Sequence, residues 1–256
     1  MKELLEAYET GTPIPPLRER VIPVGDIEAA YQVQKSMTEH WLTQGRRLVG
    51  AKIGLTSKAV QEVFGVFQPD FGVLFADMAV PDGDTVSLKR LIQPRVEAEI
   101  AFVLGDDLPS AETTSVDVIR AVDYLLPAIE IVDSRITGWD ISIVDTVADN
   151  ASSGLYTLGT TPTSLGDVDL RLCGMVLEHA GEPVSVGAGA ACLGNPLNAV
   201  TWLASTMARM GSPLQAGDVV LSGALGPMVP VTPGATYEAR ISGLGSVRVS
   251  FTPSDG

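Results

Sequence analysis

Arg95-Val96-Glu97-Ala98-Glu99-Ile100-Ala101-Phe102-Val103-Leu104 is an apolar run broken by two acids spaced two apart. In an extended strand alternate side chains share a face, so Glu97 and Glu99 point one way while Val96, Ala98 and Ile100 point the other. The Cα atoms of the two acids then lie about 6.5–7 Å apart. Two like charges in a partly buried place repel and raise each other's pKa unless a cation sits between them, and a divalent ion does this well. Taken alone, a strand with one solvated face explains the segment equally well. A third acid shifts the balance. Ala128-Ile129-Glu130-Ile131-Val132 sets a carboxylate inside an apolar strand, where a glutamate needs a partner. Three such carboxylates, with no Cys or His cluster, describe an oxygen-ligand site suited to Mg²⁺ or Mn²⁺. Such an ion keeps waters that a chelating substrate can displace.

Outward from this pair, short β-branched runs bounded by Gly, Pro or Asp predict strands at Leu48–Ile53, Val96–Leu104, Ala128–Val132, Gly174–His179, Val219–Ser222, Thr236–Ile241 and Ser246–Phe251. Ala180-Gly181-Glu182 reads as a hairpin turn. Helices are expected from an Asp26 cap to about Gln44, over Ser115–Leu126 with Pro127 ending it, and over Leu197–Met210 behind an Asn195 cap, Pro196 and before Gly211. Hairpin-like later strands without regular intervening helices favour an α+β fold: a mixed, strand-rich β-roll under an N-terminal helical layer. Two further stretches are candidates. Gly50–Ser57 puts Lys52 in an apolar strand, either as an edge residue snorkelling to solvent or as a cation and proton-transfer group for a substrate. Asp145–Gly154 is a polar run that an ordinary turn accounts for.

The chain has 256 residues, 45% of them apolar, which suits one domain with an appendage. The arm is residues 1–25, with four prolines between 10 and 24. It reads as a segment packing on a neighbouring subunit or as a flexible tail. Residues 26–256 form the expected single catalytic domain, with its helical layer at about 26–65 and its β-roll at about 66–256. A formal charge of −14 argues against nucleic acid and anionic membrane partners. An anionic substrate would need local positive charge. No apolar run spans a bilayer, the first twenty residues carry charges where a signal peptide needs apolar ones, and two separated cysteines suit a reducing cytoplasm. Nucleotide-binding and nucleophile-elbow motifs are absent. With two histidines, acid–base work falls to carboxylates, lysine, tyrosine or water.

The stretches VGAKIGLTSKAVQ, QPDFGVLFADM, QPRVEAEIAFVLG, LPAIEIVDSRI, DTVADNASSG, LGNPLNAVTWLA and LSGALGPM together resemble the 2-hydroxypenta-2,4-dienoate (2-keto-4-pentenoate) hydratases of the fumarylacetoacetate hydrolase superfamily, over about residues 26–251. The resemblance implies a β-roll fold, Mg²⁺ or Mn²⁺, and a homo-oligomer. It puts the metal carboxylates at Glu97, Glu99 and Glu130, substrate-side groups at Lys52, Asp70 and Ser152, and a pocket border at Leu221–Met228. The implied reaction adds water to a small 2-hydroxy (2-oxo) dienoic acid, giving 4-hydroxy-2-oxopentanoate in meta-cleavage degradation of aromatic or sterol rings. A sister enzyme, 4-oxalocrotonate (2-oxo-3-hexenedioate) decarboxylase, shares fold and glutamates. A proline between the paired glutamates is common there, whereas Ala98 stands here. A non-catalytic scaffold partner of a pathway decarboxylase or aldolase is the alternative from another class; metal binding separates it from an enzyme.

Overall fold

The computed structural model describes residues 1–253, the side chains of Ala59, Val63 and Phe64 excepted, so residues 254–256 of the expected domain lie outside the described residues. In chain order the regular elements are α1 (Lys2–Thr10), α2 (Ile27–Thr43), β1 (Leu48–Gly54), α3 (Lys58–Phe64), β2 (Asp70–Phe75), β3 (Ala79–Val80), β4 (Thr85–Val86) and β5 (Arg95–Leu104). There follow α4 (Ser115–Ala121), β6 (Val122–Val132), α5 (Ile143–Ala148), β7 (Ser153–Leu158), β8 (Gly174–His179), β9 (Glu182–Ala188) and α6 (Pro196–Arg209). The chain closes with β10 (Val219–Leu221), β11 (Val229–Pro230), β12 (Thr236–Ile241) and β13 (Gly245–Phe251). Among the described residues, eight strands form one mixed sheet in the order β2-β1-β10-β5-β6-β7-β3, with β11 also on β5, and five form a second, β4-β13-β12-β8-β9. This is the strand-rich α+β fold with helices at the N-terminus.

The two long helices follow their sequence signals. Asp26 caps α2 by accepting from the Ala29 N–H, and Ala30, Gln34, Met37 and Trp41 make its buried face. Asn195 accepts from the Leu197 N–H ahead of Pro196, and α6 buries Ala199, Val200, Leu203, Ala204 and Met207. Ala180 and Gly181, both at positive φ, turn β8 into β9.

The helix expected over Ser115–Leu126 stops at Ala121, and Val122–Leu126 are strand. Val118, Val122 and Leu125 fit a helical stripe, but pairing of β6 with β5 from Val122 to Val132 outweighs that local preference. Pro127 lies inside this strand rather than ending a helix. In an antiparallel ladder the N–H and C=O of a residue point to the same neighbour, and the Pro127 carbonyl accepts from Gly159. The missing donor therefore faces the β7 side, beyond the last β7 pair at Leu158, and no bond to β5 is lost.

Residues 1–25 dock on their own chain. Leu4 and Ala7 of α1 are buried, and Tyr8 sits edge-on to Trp41 at 5.0 Å between ring centroids. Beyond α1, the Ile14 N–H donates to the Arg135 carbonyl, and the Leu17 and Arg18 N–H groups donate to Asp145 Oδ1. The polar run Asp145–Gly154 is not a surface turn either. It forms α5 and a short 3-10 turn, with Asp145, Asp149, Asn150 and Ser152 all buried.

Candidate active site and metal centre

Sheet register brings the site together. Glu97 lies directly opposite Glu130 across β5 and β6, and opposite residues share a face, as do residues two apart. Leu221 pairs with Ala101, Lys52 with Leu221, and Gly72 with Lys52. Asp70, Lys52, Glu97, Glu99 and Glu130 therefore all project from one face of the large sheet, across five adjacent strands. Lys52 is not an edge residue, since β1 runs between β2 and β10 and the side chain is buried. Glycines make room at two close approaches. A Cβ at Gly54 would come 2.2 Å from Asp70 Oδ1, and one at Gly72 would come 2.2 Å from the Asn150 carbonyl oxygen.

Carboxylate oxygens of Glu97, Glu99 and Glu130 all lie within 4.8 Å of one another. Glu99 and Glu130 are fully buried, and Glu97 is half-buried at the cavity wall. Glu99 Oε2 accepts from the Gly223 N–H at 2.8 Å. The Lys52 ammonium is 3.0 Å from Glu130 Oε1. Glu99 Oε1, both Glu130 oxygens and both Asp70 oxygens are otherwise buried acceptors without a hydrogen-bond partner. Orphaned acceptors converging to this spacing fit a hard divalent cation, whose ligands are oxygens.

The electrostatics agree. Burial, reinforced by the Glu130 charge, pushes the Glu97 carboxyl up to about 7. Burial and the neighbouring Glu130 and Glu97 hold Glu99 well above the usual carboxylate range. Burial opposes charge on Lys52, yet Glu130, Asp70, Glu97 and Glu99 together hold its pKa above the ordinary lysine value. Burial lifts Asp70 to about 6, with Lys52 pulling it down and Glu130 up.

A cavity of about 420 Å³ opens over this face. Lys52, Asp70, Glu97 and Ser152 line it, with Ala224, Gly226, Pro227 and Met228 of the loop after β10. Its remaining wall is largely apolar, with Leu55, Val60, Val132, Trp139 and Ile141. Ser152 Oγ is 3.3 Å from Thr146 Oγ1, a cavity residue the sequence reading did not single out. Asn150, Ala151 and Ser152 are three successive residues in the left-handed region, at φ 54°, 51° and 54°. For residues with a Cβ this costs about 1–2 kcal/mol each, least for asparagine. Fixed partners hold the turn. Asn150 accepts from the Val73 N–H and donates to the Val73 carbonyl, while buried Arg135 bonds Asp149 through its backbone N–H, Nε and Nη2. No local signal marks these partners, because they lie up to 77 residues away.

A second cavity, of about 360 Å³, lies beside α1. Of the cations that line it, Arg46 pairs with Asp77, Arg135 pairs with Asp149, and Arg90 donates to the Asp77 carbonyl. The chemistry thus concentrates at the carboxylate face. Among the described residues no helix is long and apolar enough to cross a membrane.

The chain is similar along nearly its whole length to proteins of known activity. A TodF product hydratase of Pseudomonas putida is 60% identical, over 97% of this chain and 92% of that protein. A 2-keto-4-pentenoate hydratase of Paraburkholderia xenovorans is 56% identical, over 98% and 93%. The solved structure of 4-oxalocrotonate decarboxylase from Pseudomonas putida G7, complexed with magnesium and adipate, superposes with a TM-score of 0.94 at 38% identity, over 98% of this chain and 95% of that one. Residues 31–252 match the fumarylacetoacetate hydrolase C-terminal family, and the chain belongs to that family.

Proposed function

We propose that this protein is a divalent-metal-dependent 2-keto-4-pentenoate hydratase, adding water to 2-hydroxypenta-2,4-dienoate to give 4-hydroxy-2-oxopentanoate. The observation that carries the reading is the set of three glutamate oxygens within 4.8 Å of one another, beside a cavity that also holds Lys52 and Asp70. The names of the relatives at 56–60% identity support hydration over decarboxylation, for which the relative is 38% identical. Glu97, Glu99 and Glu130 would hold Mg²⁺ or Mn²⁺. Held there, the cation would supply Lewis-acid polarisation of the substrate's 2-oxo group, which makes C4 electrophilic.

The chain's own groups divide the remaining work. Lys52, charged and anchored on Glu130, donates to the C2 oxygen side of the substrate. Asp70, buried at the cavity wall with a pKa of about 6, takes up and returns a proton as the dienol becomes the 2-oxo-3-enoate. Ser152 Oγ positions the substrate from its left-handed turn, and the apolar wall keeps bulk water from the diene. The reading takes residues 26–256 as one catalytic domain with residues 1–25 as its arm, in a cytoplasmic homo-oligomer that associates with the pathway decarboxylase or aldolase.

The test mixes purified protein and Mg²⁺ with freshly generated 2-hydroxypenta-2,4-dienoate and follows loss of its ultraviolet absorbance, with a chelator control. Chelator-sensitive loss yielding 4-hydroxy-2-oxopentanoate, and no CO₂ from 4-oxalocrotonate, is expected. CO₂ release without hydration would move the protein to the decarboxylase reading suggested by its 38%-identical structural neighbour.

A further inference from the structure

The site is built from acids, in a chain of net charge −14, yet the proposed substrate is a carboxylate. When fully ionised, Glu97, Glu99, Glu130 and Asp70 outweigh Lys52 and a divalent cation by one negative charge. Something further must favour an arriving anion over the surrounding field.

Arg95 has the right place. It opens β5 two residues before Glu97, so its side chain leaves the same face of the sheet as Glu97 and Glu99. Its guanidinium carbon lies 4.4 Å from the ring centroid of Trp139, and Nη1 lies 3.3 Å from Met228 Sδ. Trp139 and Met228 both line the cavity. Trp139 is itself fixed: its Nε1–H donates to the Gln93 carbonyl at 2.9 Å, and its backbone holds φ 58°, a strained value for a bulky residue. Three segments thus meet at the rim around a half-buried cation. Arg95 makes no ion pair with a carboxylate among the described residues; the acid whose charge reaches it is Glu97, at the cavity wall. A guanidinium stacked on a ring points its edge donors away from the ring, and beside the weak Nη1–Met228 Sδ contact those donors match a carboxylate.

The geometry points to Arg95 as an anion-recruiting residue, which receives the substrate's carboxylate at the rim and offsets the acid excess while the carboxylate moves to the metal. This inference rests on the proposed metal site and 2-oxo acid substrate.

The experiment measures oxalate, an inert chelating dicarboxylate, binding to the Mg²⁺-loaded protein by titration calorimetry at low and high ionic strength. Mg²⁺ affinity is measured separately. In the wild-type protein oxalate binding should weaken as salt rises. Arg95→Gln should weaken oxalate about tenfold and flatten the salt dependence, while Mg²⁺ binds as tightly or more tightly, because a cation near the site has gone. Arg95→Lys should stay within about threefold of wild type and keep the salt slope. Oxalate binding by Arg95→Gln equal to wild type, or parallel loss of Mg²⁺ and oxalate, would overturn the assignment. So would wild-type oxalate binding insensitive to salt, a result that needs no variant. If the wild-type protein binds Mg²⁺ and oxalate as expected but does not hydrate the dienoate, the hydratase reading fails and the assignment of Arg95 stands.

Discussion

Lys52→Met removes the buried ammonium that four carboxylates surround. Lys52 and Glu130 are 4% and 1% exposed and 3.0 Å apart, a separation at which the Coulomb attraction is about 5 kcal/mol at an effective dielectric of about 20. Desolvation offsets much of that attraction, but removing one partner leaves the other charges buried and uncompensated, at a cost of about 3–5 kcal/mol. For a chain of this size the metal-free variant should melt about 6–20 °C below wild type. The deficit should grow with pH. Glu97 at about 7 and Asp70 at about 6 sit above their ordinary values, so the folded state binds their protons more tightly than the unfolded chain does. Stability contributed by such groups falls as pH rises from the unfolded pKa through the folded one. Loss of Lys52 raises these carboxyls further and extends the window upward, so the deficit is smaller at about pH 5.5 than at about pH 8. Added Mg²⁺ supplies the missing charge, and its stabilising increment should be larger in the variant than in wild type. The assay is thermal unfolding with and without Mg²⁺ at the two pH values, alongside turnover, which should drop by about 10²–10⁴ if Lys52 moves a proton. A metal-free Lys52→Met protein melting within about 2 °C of wild type, with an unchanged Mg²⁺ increment, would refute the charge-compensation reasoning.

Glu99→Gln should abolish metal-dependent turnover and leave circular dichroism unchanged, with metal-free stability equal or higher because one repelling charge is gone; full activity would sink the metal site. Mg²⁺ binding should release protons and weaken as pH falls below about 7, since the Glu97 carboxyl must ionise to bind; calorimetry in buffers of different ionisation enthalpy reads this directly. Asn150→Ala should cost about 2–4 kcal/mol in denaturant unfolding, from two lost bonds to Val73 and a left-handed alanine. Asn150→Gly should cost less, the reverse of the usual alanine-over-glycine order, because glycine accepts positive φ.

The parts of the fold legible in sequence are those whose cause is local. α2 and α6 carry a cap and an apolar stripe inside one segment, and the alternation of β5 shows its acids on one face. Elements with distant causes were not legible. β2 is buried along its whole length, so it has no alternation to read. The N-terminal half of β6 looks helical until β5 is placed beside it. The polar run at Asp145–Gly154 reads as a turn because the groups that satisfy it, the Leu17 and Arg18 amides, Arg135 and Val73, are remote in the chain. The site divides along the same line. Glu97, Glu99 and Glu130 stand out as acids in apolar strands, whereas spacing alone does not single out Asp70, Thr146 or Trp139.

The stretches that carry the family resemblance are also the ones whose close contacts build the reactive face. VGAKIGLTSKAVQ holds Lys52 between Gly50 and Gly54, and a Cβ at Gly50 would lie 1.9 Å from the Val219 carbonyl oxygen of the neighbouring β10. QPDFGVLFADM holds Asp70, whose carboxylate occupies the room left by Gly54, and Gly72, which admits the Asn150 carbonyl. LSGALGPM supplies the Gly223 amide to Glu99 and ends at Met228 against Arg95. Each stretch contributes a functional atom and also the small residue that lets a neighbouring strand or turn approach it. Enlarging one of these glycines would therefore act first on the spacing between strands and only through it on the chemistry. A side-chain change at Asp70 would do the opposite, lowering turnover while the β1–β2 ladder stays paired.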